Sequence, residues 1–177
     1  VFRSSDELLR SCADQRVVLV GNGTPIRPLG HVVDAYDIVV RFNNFQIKGF
    51  EELIGTRTTY RCTTGWGDVE YRGREIEFSP FTASAPNSLH RAWYDARNHR
   101  PLLMAELDVL TCFNWFRPST GLACAGLCSL LGVPVSIVNM DGFRTAKYWE
   151  GDRSPTGHSL AEAKAFRRLR GVRIEDR

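Results

Sequence analysis

Arg16-Val17-Val18-Leu19-Val20-Gly21-Asn22-Gly23 is the stretch that decides the fold. Its apolar core shows no polar alternation, as expected of a strand covered on both faces. It breaks at Gly21-Asn22-Gly23, a turn signal that ends the strand. Asp37-Ile38-Val39-Val40-Arg41 repeats the pattern and stops at Asn43-Asn44, and Thr58-Thr59-Tyr60-Arg61-Cys62 reads as a third strand. Upstream, Ser5-Asp6-Glu7-Leu8-Leu9 predicts a capped helix running to Ala13. Downstream, residues 66–86 are charged and punctuated by Gly and Pro, which predicts loops with one strand at residues 76–78. Helical spacing follows over residues 88–97, a strand over 107–112, and a small-residue helix over 122–131. A buried strand over 133–140 and a helix over 158–170, capped by Thr156, complete the alternation. Strand, helix and strand in turn predict one α/β domain over residues 1–177, a Rossmann-like, largely parallel sheet flanked by helices.

Composition narrows the function classes. The chain has 177 residues with 43% hydrophobic and 24% charged side chains, which excludes disordered, collagenous and fibrous classes. Lys+Arg 23 against Asp+Glu 20 gives +3, too small an excess to argue for nucleic acid, and no Lys/Arg block reads as a basic arm. No apolar run is long enough for a membrane span and the first residues do not resemble a signal peptide, so the chain is expected to be soluble. The five cysteines are odd in number, widely spaced and free of any C-x-x-C pair. That argues against a disulfide framework or a zinc knuckle and fits a reducing compartment. Cys124 and Cys128 read as small buried hydrophobes.

Ligands of such sheets bind beyond the carboxyl ends of strands. The segments to inspect are therefore Gly21-Asn22-Gly23, Arg41-Phe42-Asn43-Asn44, Ser119-Thr120-Gly121, and Lys147-Tyr148-Trp149-Glu150 with His158 beyond it. A dinucleotide reading of Gly21-x-Gly23 fails, because Ile26 stands where the third glycine belongs and the next strand ends in Arg41 rather than an acid. What remains is a tight turn that permits close backbone approach, with an amide beside it. Ser119-Thr120-Gly121 opens a helix, where free N–H groups and the dipole favour an anion, although an ordinary N-cap accounts for the same residues. His158 has the side chain a general base near neutral pH requires. No two of the four histidines have metal-ligand spacing, and no D-x-D occurs.

In this order the segments resemble the sialyltransferases of glycosyltransferase family 29. Residues 17–23 through 37–43 resemble the long motif of that family, with its Val-Gly-Asn turn and Arg-x-Asn, and Arg117-Pro118-Ser119-Thr120-Gly121 through Gly142-Phe143 resembles the short motif. Tyr148-Trp149-Glu150 resembles the third motif, and His158-Ser159-x-x-Glu162 the very short motif that carries the catalytic histidine. Arg41-Phe42-Asn43-Asn44-Phe45 also resembles the bacterial family 42 enzymes.

The resemblance implies a GT-A-like variant of the fold. It implies an inverting, metal-independent enzyme without cofactor that moves a 2-keto sugar acid from a CMP-sugar donor to a hydroxyl of a glycan or glycolipid acceptor. Sialic acid is the favoured sugar; a CMP-Kdo transferase and a nonenzymatic CMP- or glycan-binding module are the alternatives. Gly21, Asn22, Gly23 and Asn43, with Ser119, Thr120 and Gly121, would hold the donor. Tyr148 and Lys147 would assist phosphate departure, Lys147 standing where the family has His, and His158 would take the acceptor proton. The paired cysteines of the animal enzymes appear as Arg16 and Gly132, which favours a cytoplasmic, bacterial-type enzyme, with peripheral membrane association as a further expectation and no nucleic-acid partner.

Overall fold

The computed structural model describes residues 12, 14–25, 27–63, 74–77, 119–130, 132–141, 145–148 and 164–175. Among the described residues the six strands are β1 (Val17–Val20), β2 (Ile38–Phe42), β3 (Tyr60–Thr63), β4 (Arg74–Glu77), β5 (Val135–Val138) and β6 (Val172–Ile174). They form one sheet in the order β4-β3-β2-β1-β5-β6. Every neighbouring pair is parallel, with Val17 opposite both Ile38 and Val135 in the register of the central strands. The helices with described bounds are α1 (Gly30–Asp34), α2 (Glu51–Ile54) and α3 (Thr120–Leu130). Cys12 is also helical, as are residues 164–166 of the helix expected over 158–170, of which residues 158–163 lie outside the described residues. The order runs outward from β1 to β4 on one side and from β5 to β6 on the other, so the direction of winding reverses between β1 and β5.

The unbroken apolar runs are explained by two cores. Val17, Leu19, Ile38, Val40, Phe42, Tyr60, Cys62, Val135 and Ile137 face α3, where they meet Leu122, Cys124, Ala125 and Cys128. Val18, Val20, Val39 and Val138 face the other way, onto Leu29, Val33, Ile54 and Tyr148. A slip of one residue in any of these strands would exchange the two faces, but both are apolar; the register is held instead by the groups at the strand ends. The expected third strand is shifted to begin at Tyr60, the strand expected over 133–140 is trimmed to four residues, and the expected strand at 76–78 is centred earlier. Strand β6 and helices α1 and α2 are additions to the sequence-based reading. The helix expected over 5–13 (apart from Cys12), that over 88–97 and the strand over 107–112 lie outside the described residues.

One buried cation organises the second face. Arg41 is 1% exposed, and its Nε donates to the carbonyl of Arg57 (3.1 Å) and the hydroxyl of Thr58 (3.0 Å). Its terminal nitrogen donates to the carbonyls of Ile54 (2.7 Å) and Gly55 (3.1 Å), and the guanidinium lies 5.6 Å from the Phe45 ring centroid. These carbonyls end α2, so the fan of donors terminates the helix and fixes the approach to β3. Asp34 secures the same turn from outside by accepting from the backbone of Thr56 and Arg57 and from the Thr56 hydroxyl. Arg16, which the resemblance aligns with a cysteine of the animal enzymes, clamps the turn before β2 through Asp37 (2.8 Å from its backbone N–H). Gly132, the other such position, sits at φ +71 just past α3, where a glycine avoids left-handed strain.

Two outcomes follow for stability. Arg41→Lys should cost about 2–4 kcal/mol in urea unfolding, because one ammonium cannot reproduce the planar fan of charge-assisted bonds. Burial alone would raise the Asp34 pKa, yet the N–H groups of Arg57 and Thr56 outweigh it and hold the carboxyl below its usual range. A depressed folded-state pKa gives stabilisation that is complete at neutral pH and lost as pH falls through the carboxylate range. Asp34→Asn should therefore be less stable than the wild type by about 1 kcal/mol or more at pH 7, and the gap should narrow as acidification protonates the Asp34 carboxyl in the folded state.

Candidate functional site

At the reversal between β1 and β5, the two strand exits run into each other. Gly21 N–H donates to the carbonyl of Val138 (2.7 Å) and Gly23 N–H to that of Asn139 (3.1 Å). A Cβ at Gly21 would overlap the Asn139 carbonyl, and one at Gly23 would lie 2.9 Å from it. Both glycines thus serve a close backbone approach, and the partner is the exit of β5 within the chain itself. Asn22, between them, turns towards β2. Its amide nitrogen donates to the carbonyls of Phe42 (3.0 Å) and Asn44 (3.2 Å). The amide expected to contact donor therefore ties two strand exits together in this state.

The exit of β2 reaches α3 in turn. Asn43 adopts φ +50, a left-handed conformation that Asn tolerates better than other side chains with a Cβ. Its N–H donates to the carbonyl of Cys62 (2.8 Å), and its amide nitrogen donates to the hydroxyl of Thr120 (3.4 Å). Arg61, buried in β3, donates to the Asn43 carbonyl (3.0 Å). At the start of α3 the Ser119 hydroxyl accepts from the N–H of Leu122 (3.2 Å), the N-cap arrangement, while Thr120 is buried and Gly121 lies against the Met140 side chain. The N-terminal end of this eleven-residue helix therefore opens beside the exits of β2 and β5.

Residues 145–148 lace the rim together. Lys147 forms an antiparallel bridge with Gly23, and Tyr148 N–H donates to the carbonyl of Asn22 (3.1 Å). Thr24 N–H donates to the Thr145 hydroxyl (2.8 Å), and the Thr24 hydroxyl to the Ala146 carbonyl (2.9 Å). Tyr148 is 9% exposed and stacks edge-on to Phe50, with ring centroids 5.1 Å apart. Its hydroxyl donates to the Gln46 carbonyl (2.6 Å) and accepts from the Gln46 N–H (3.1 Å). Burial raises its pKa, against the Gln46 hydrogen bond and the Arg41 charge, so the phenol is neutral at physiological pH. Lys147, by contrast, is exposed.

Gly21, Asn22, Gly23, Asn43, Ser119, Thr120, Gly121, Lys147 and Tyr148 thus meet at one edge of the sheet. His158, with Trp149, Glu150 and Glu162, lies outside the described residues. Asn139 and Gln46 were not singled out from sequence. Asn139 had a usable signal, since like Asn22 and Asn43 it is an asparagine directly beyond an apolar strand, and it too is left-handed (φ +54). Gln46 works through its backbone and had none. Cys12, Cys62, Cys124 and Cys128 are free and buried in the α3-facing core. Burial pushes the Cys62 thiol up, and a hydrogen bond to Cys124 together with burial pushes up that of Cys128. That is the state of small packed hydrophobes.

Residues 4–83 match the family model described as glycosyltransferase family 29 (sialyltransferase). Over these 80 of its 177 residues the chain is similar to the family 29 sialyltransferases. It is 38% identical over 76 residues to a mouse lactosylceramide alpha-2,3-sialyltransferase, a match covering 40% of this chain and 18% of that one. It is 46% identical over 64 residues to the human CMP-N-acetylneuraminate-beta-1,4-galactoside alpha-2,3-sialyltransferase, covering 35% of this chain and 17% of the relative. The matched stretches are thus under a fifth of these relatives' length. A crystal structure of a mammalian sialyltransferase shares the fold, with TM-score 0.62 and 19% identity over 92% of this chain and 69% of that one. The sialyltransferase-like α/β architecture expected from the sequence is the one observed.

The close approach at the β1 and β5 exits predicts that Gly21→Ala is severe. The methyl group cannot be accommodated without moving the Asn139 backbone, so thermal unfolding should report a loss of about 2 kcal/mol or more.

Proposed function

We propose that the protein is a CMP-sugar-dependent glycosyltransferase that moves sialic acid from CMP-sialic acid to a glycan or glycolipid hydroxyl, with inversion and without a metal. The observation that carries this reading is the convergence of Asn22, Asn43, Ser119-Thr120-Gly121 and residues 147–148 where the winding of the sheet reverses, the usual ligand position in such sheets. The human relative's name supplies the donor class, CMP-N-acetylneuraminate. The absence of any D-x-D sequence supports the metal-independent form.

In this reading the acceptor oxygen attacks the anomeric carbon as the bond from that carbon to the CMP phosphate breaks, and His158 takes the acceptor proton. Negative charge grows on the departing phosphate. The N–H groups opening α3 are suited to receive it, and the ammonium of Lys147, exposed at the rim, adds a positive charge. Tyr148 acts differently from Lys147. With its hydroxyl held by Gln46 on both sides, it positions the 45–47 segment and, through Asn22, the exit of β1. The free thiols among the described residues support a reducing, cytoplasmic location.

Isothermal titration with CMP, followed by turnover of CMP-sialic acid and CMP-Kdo, tests the reading directly. CMP binding with preferential consumption of CMP-sialic acid is expected, and the absence of any CMP binding would sink it. His158→Ala should lower turnover roughly 10²–10⁴-fold and leave CMP affinity nearly intact. Tyr148→Phe should weaken CMP binding by about 3–10-fold, the worth of one net hydrogen bond, with kcat little changed. A fall in kcat at unchanged CMP affinity would instead assign Tyr148 to phosphate departure.

A further inference from the structure

The net charge of +3 is not spread over the molecule. Residues 164–173 hold Lys164, Arg167, Arg168, Arg170 and Arg173 and no acid, so the remaining chain carries 18 Lys and Arg against 20 Asp and Glu. All five cations are exposed. The apolar residues of the same segment point inward: Phe166 is buried in the α3-facing core, and Ala165, Leu169 and Val172 pack against it. Arg173 pairs with Glu175 (3.1 Å). Lys164, Arg167, Arg168 and Arg170 make no ion pair among the described residues. No basic block was evident from the sequence because apolar residues interrupt the charges; folding turns those residues inward and leaves one cationic face.

The position of this face is set by the sheet. Val135 N–H donates to the carbonyl of Gly171 (2.9 Å), so the turn carrying Arg167 to Arg170 lies at the amino-terminal edge of β5 and β6. The candidate site lies at the carboxyl-terminal edge, about 10 Å away along the strands.

We propose that the exposed face of residues 164–173 docks on a membrane rich in anionic phospholipid headgroups, holding the carboxyl-terminal edge of the sheet away from the bilayer. With its apolar side chains committed to the core, the segment has charge alone to offer, which suits a dense anionic plane. Nucleic acid is disfavoured because the segment exposes no aromatic ring to stack on bases and no amide or hydroxyl to read their edges. The inference is independent of the donor reading, since it needs no CMP chemistry.

Co-sedimentation with phosphatidylcholine vesicles, with and without about one third phosphatidylglycerol, tests it at about 0.05 M and 0.5 M salt, where screening differs several-fold. Binding is expected to the anionic vesicles at low salt, lost at high salt. With roughly fivefold per charge, the variant K164Q/R167Q/R168Q/R170Q should lose at least about 10²-fold in partitioning, with its urea midpoint checked against the wild type. The chain's three lysines, Lys48, Lys147 and Lys164, are all exposed and report orientation. Amine acetylation read by mass spectrometry should show Lys164 protected on vesicles, while Lys48 and Lys147 remain reactive. Failure of the wild type to bind, undiminished binding by the folded variant, protection of Lys147 in place of Lys164, or preference for duplex DNA at equal salt would each overturn the proposal.

Discussion

The whole carboxyl-terminal edge depends on two peptide backbones being allowed to touch. Between β1 and β5 the chain reverses its winding, and Gly21 and Gly23 donate to Val138 and Asn139 across a gap with no room for a side chain. Doubly wound sheets ordinarily leave a crevice at this point. Here its floor is closed by hydrogen bonds, and the candidate site residues are displaced outward to the next ring. Asn22 reaches the exit of β2, Asn43 reaches the start of α3, and residues 145–148 lie across the first turn. Loss of the first contact would loosen each of the others, because every one is anchored on a neighbour rather than on solvent-facing scaffold.

Much of the architecture was legible because buried parallel strands are written as uninterrupted apolar runs. Val17-Val18-Leu19-Val20 and Ile38-Val39-Val40 cannot be satisfied with one face in water, and both faces are in fact covered. The short elements were not legible. Helices α1 and α2 have five and four residues, too few for a 3.6-residue period to show, and α2 is ended by Arg41, a cation thirteen residues before Ile54 in sequence. Strand β6 has only Val172 and Ile174 as apolar residues, flanking an exposed Arg173, and its edge position removes the double-sided burial that marks the others.

For the candidate site, residue type was informative and residue role was less so. Glycine and asparagine after strands marked the edge at which the candidate residues meet, since tight approach and left-handed φ favour those two residues. The partners could not be read. Whether the amide of Asn22 meets a ligand or the carbonyls of Phe42 and Asn44 depends on how closely β1 and β2 exit, which is a property of the sheet. Tyr148 shows the same limit: a phenol in a motif suggests chemistry, while its burial and its paired bonds to Gln46 are visible only in the fold.

The Asn22-Gly23 pair also bears on how the molecule ages. An asparagine followed by glycine loses its amide when the next backbone nitrogen attacks the side-chain carbonyl carbon, forming a succinimide. Folding engages that nitrogen with the Asn139 carbonyl and pins the Asn22 amide on two further carbonyls, so neither reactant can approach the other. Chemical durability at this position is therefore borrowed from the fold. A chain that opens locally at the β1 exit exposes the residue to deamidation, and the Asp or isoAsp left behind would set a carboxylate against the carbonyls of Phe42 and Asn44, preventing the edge from closing again.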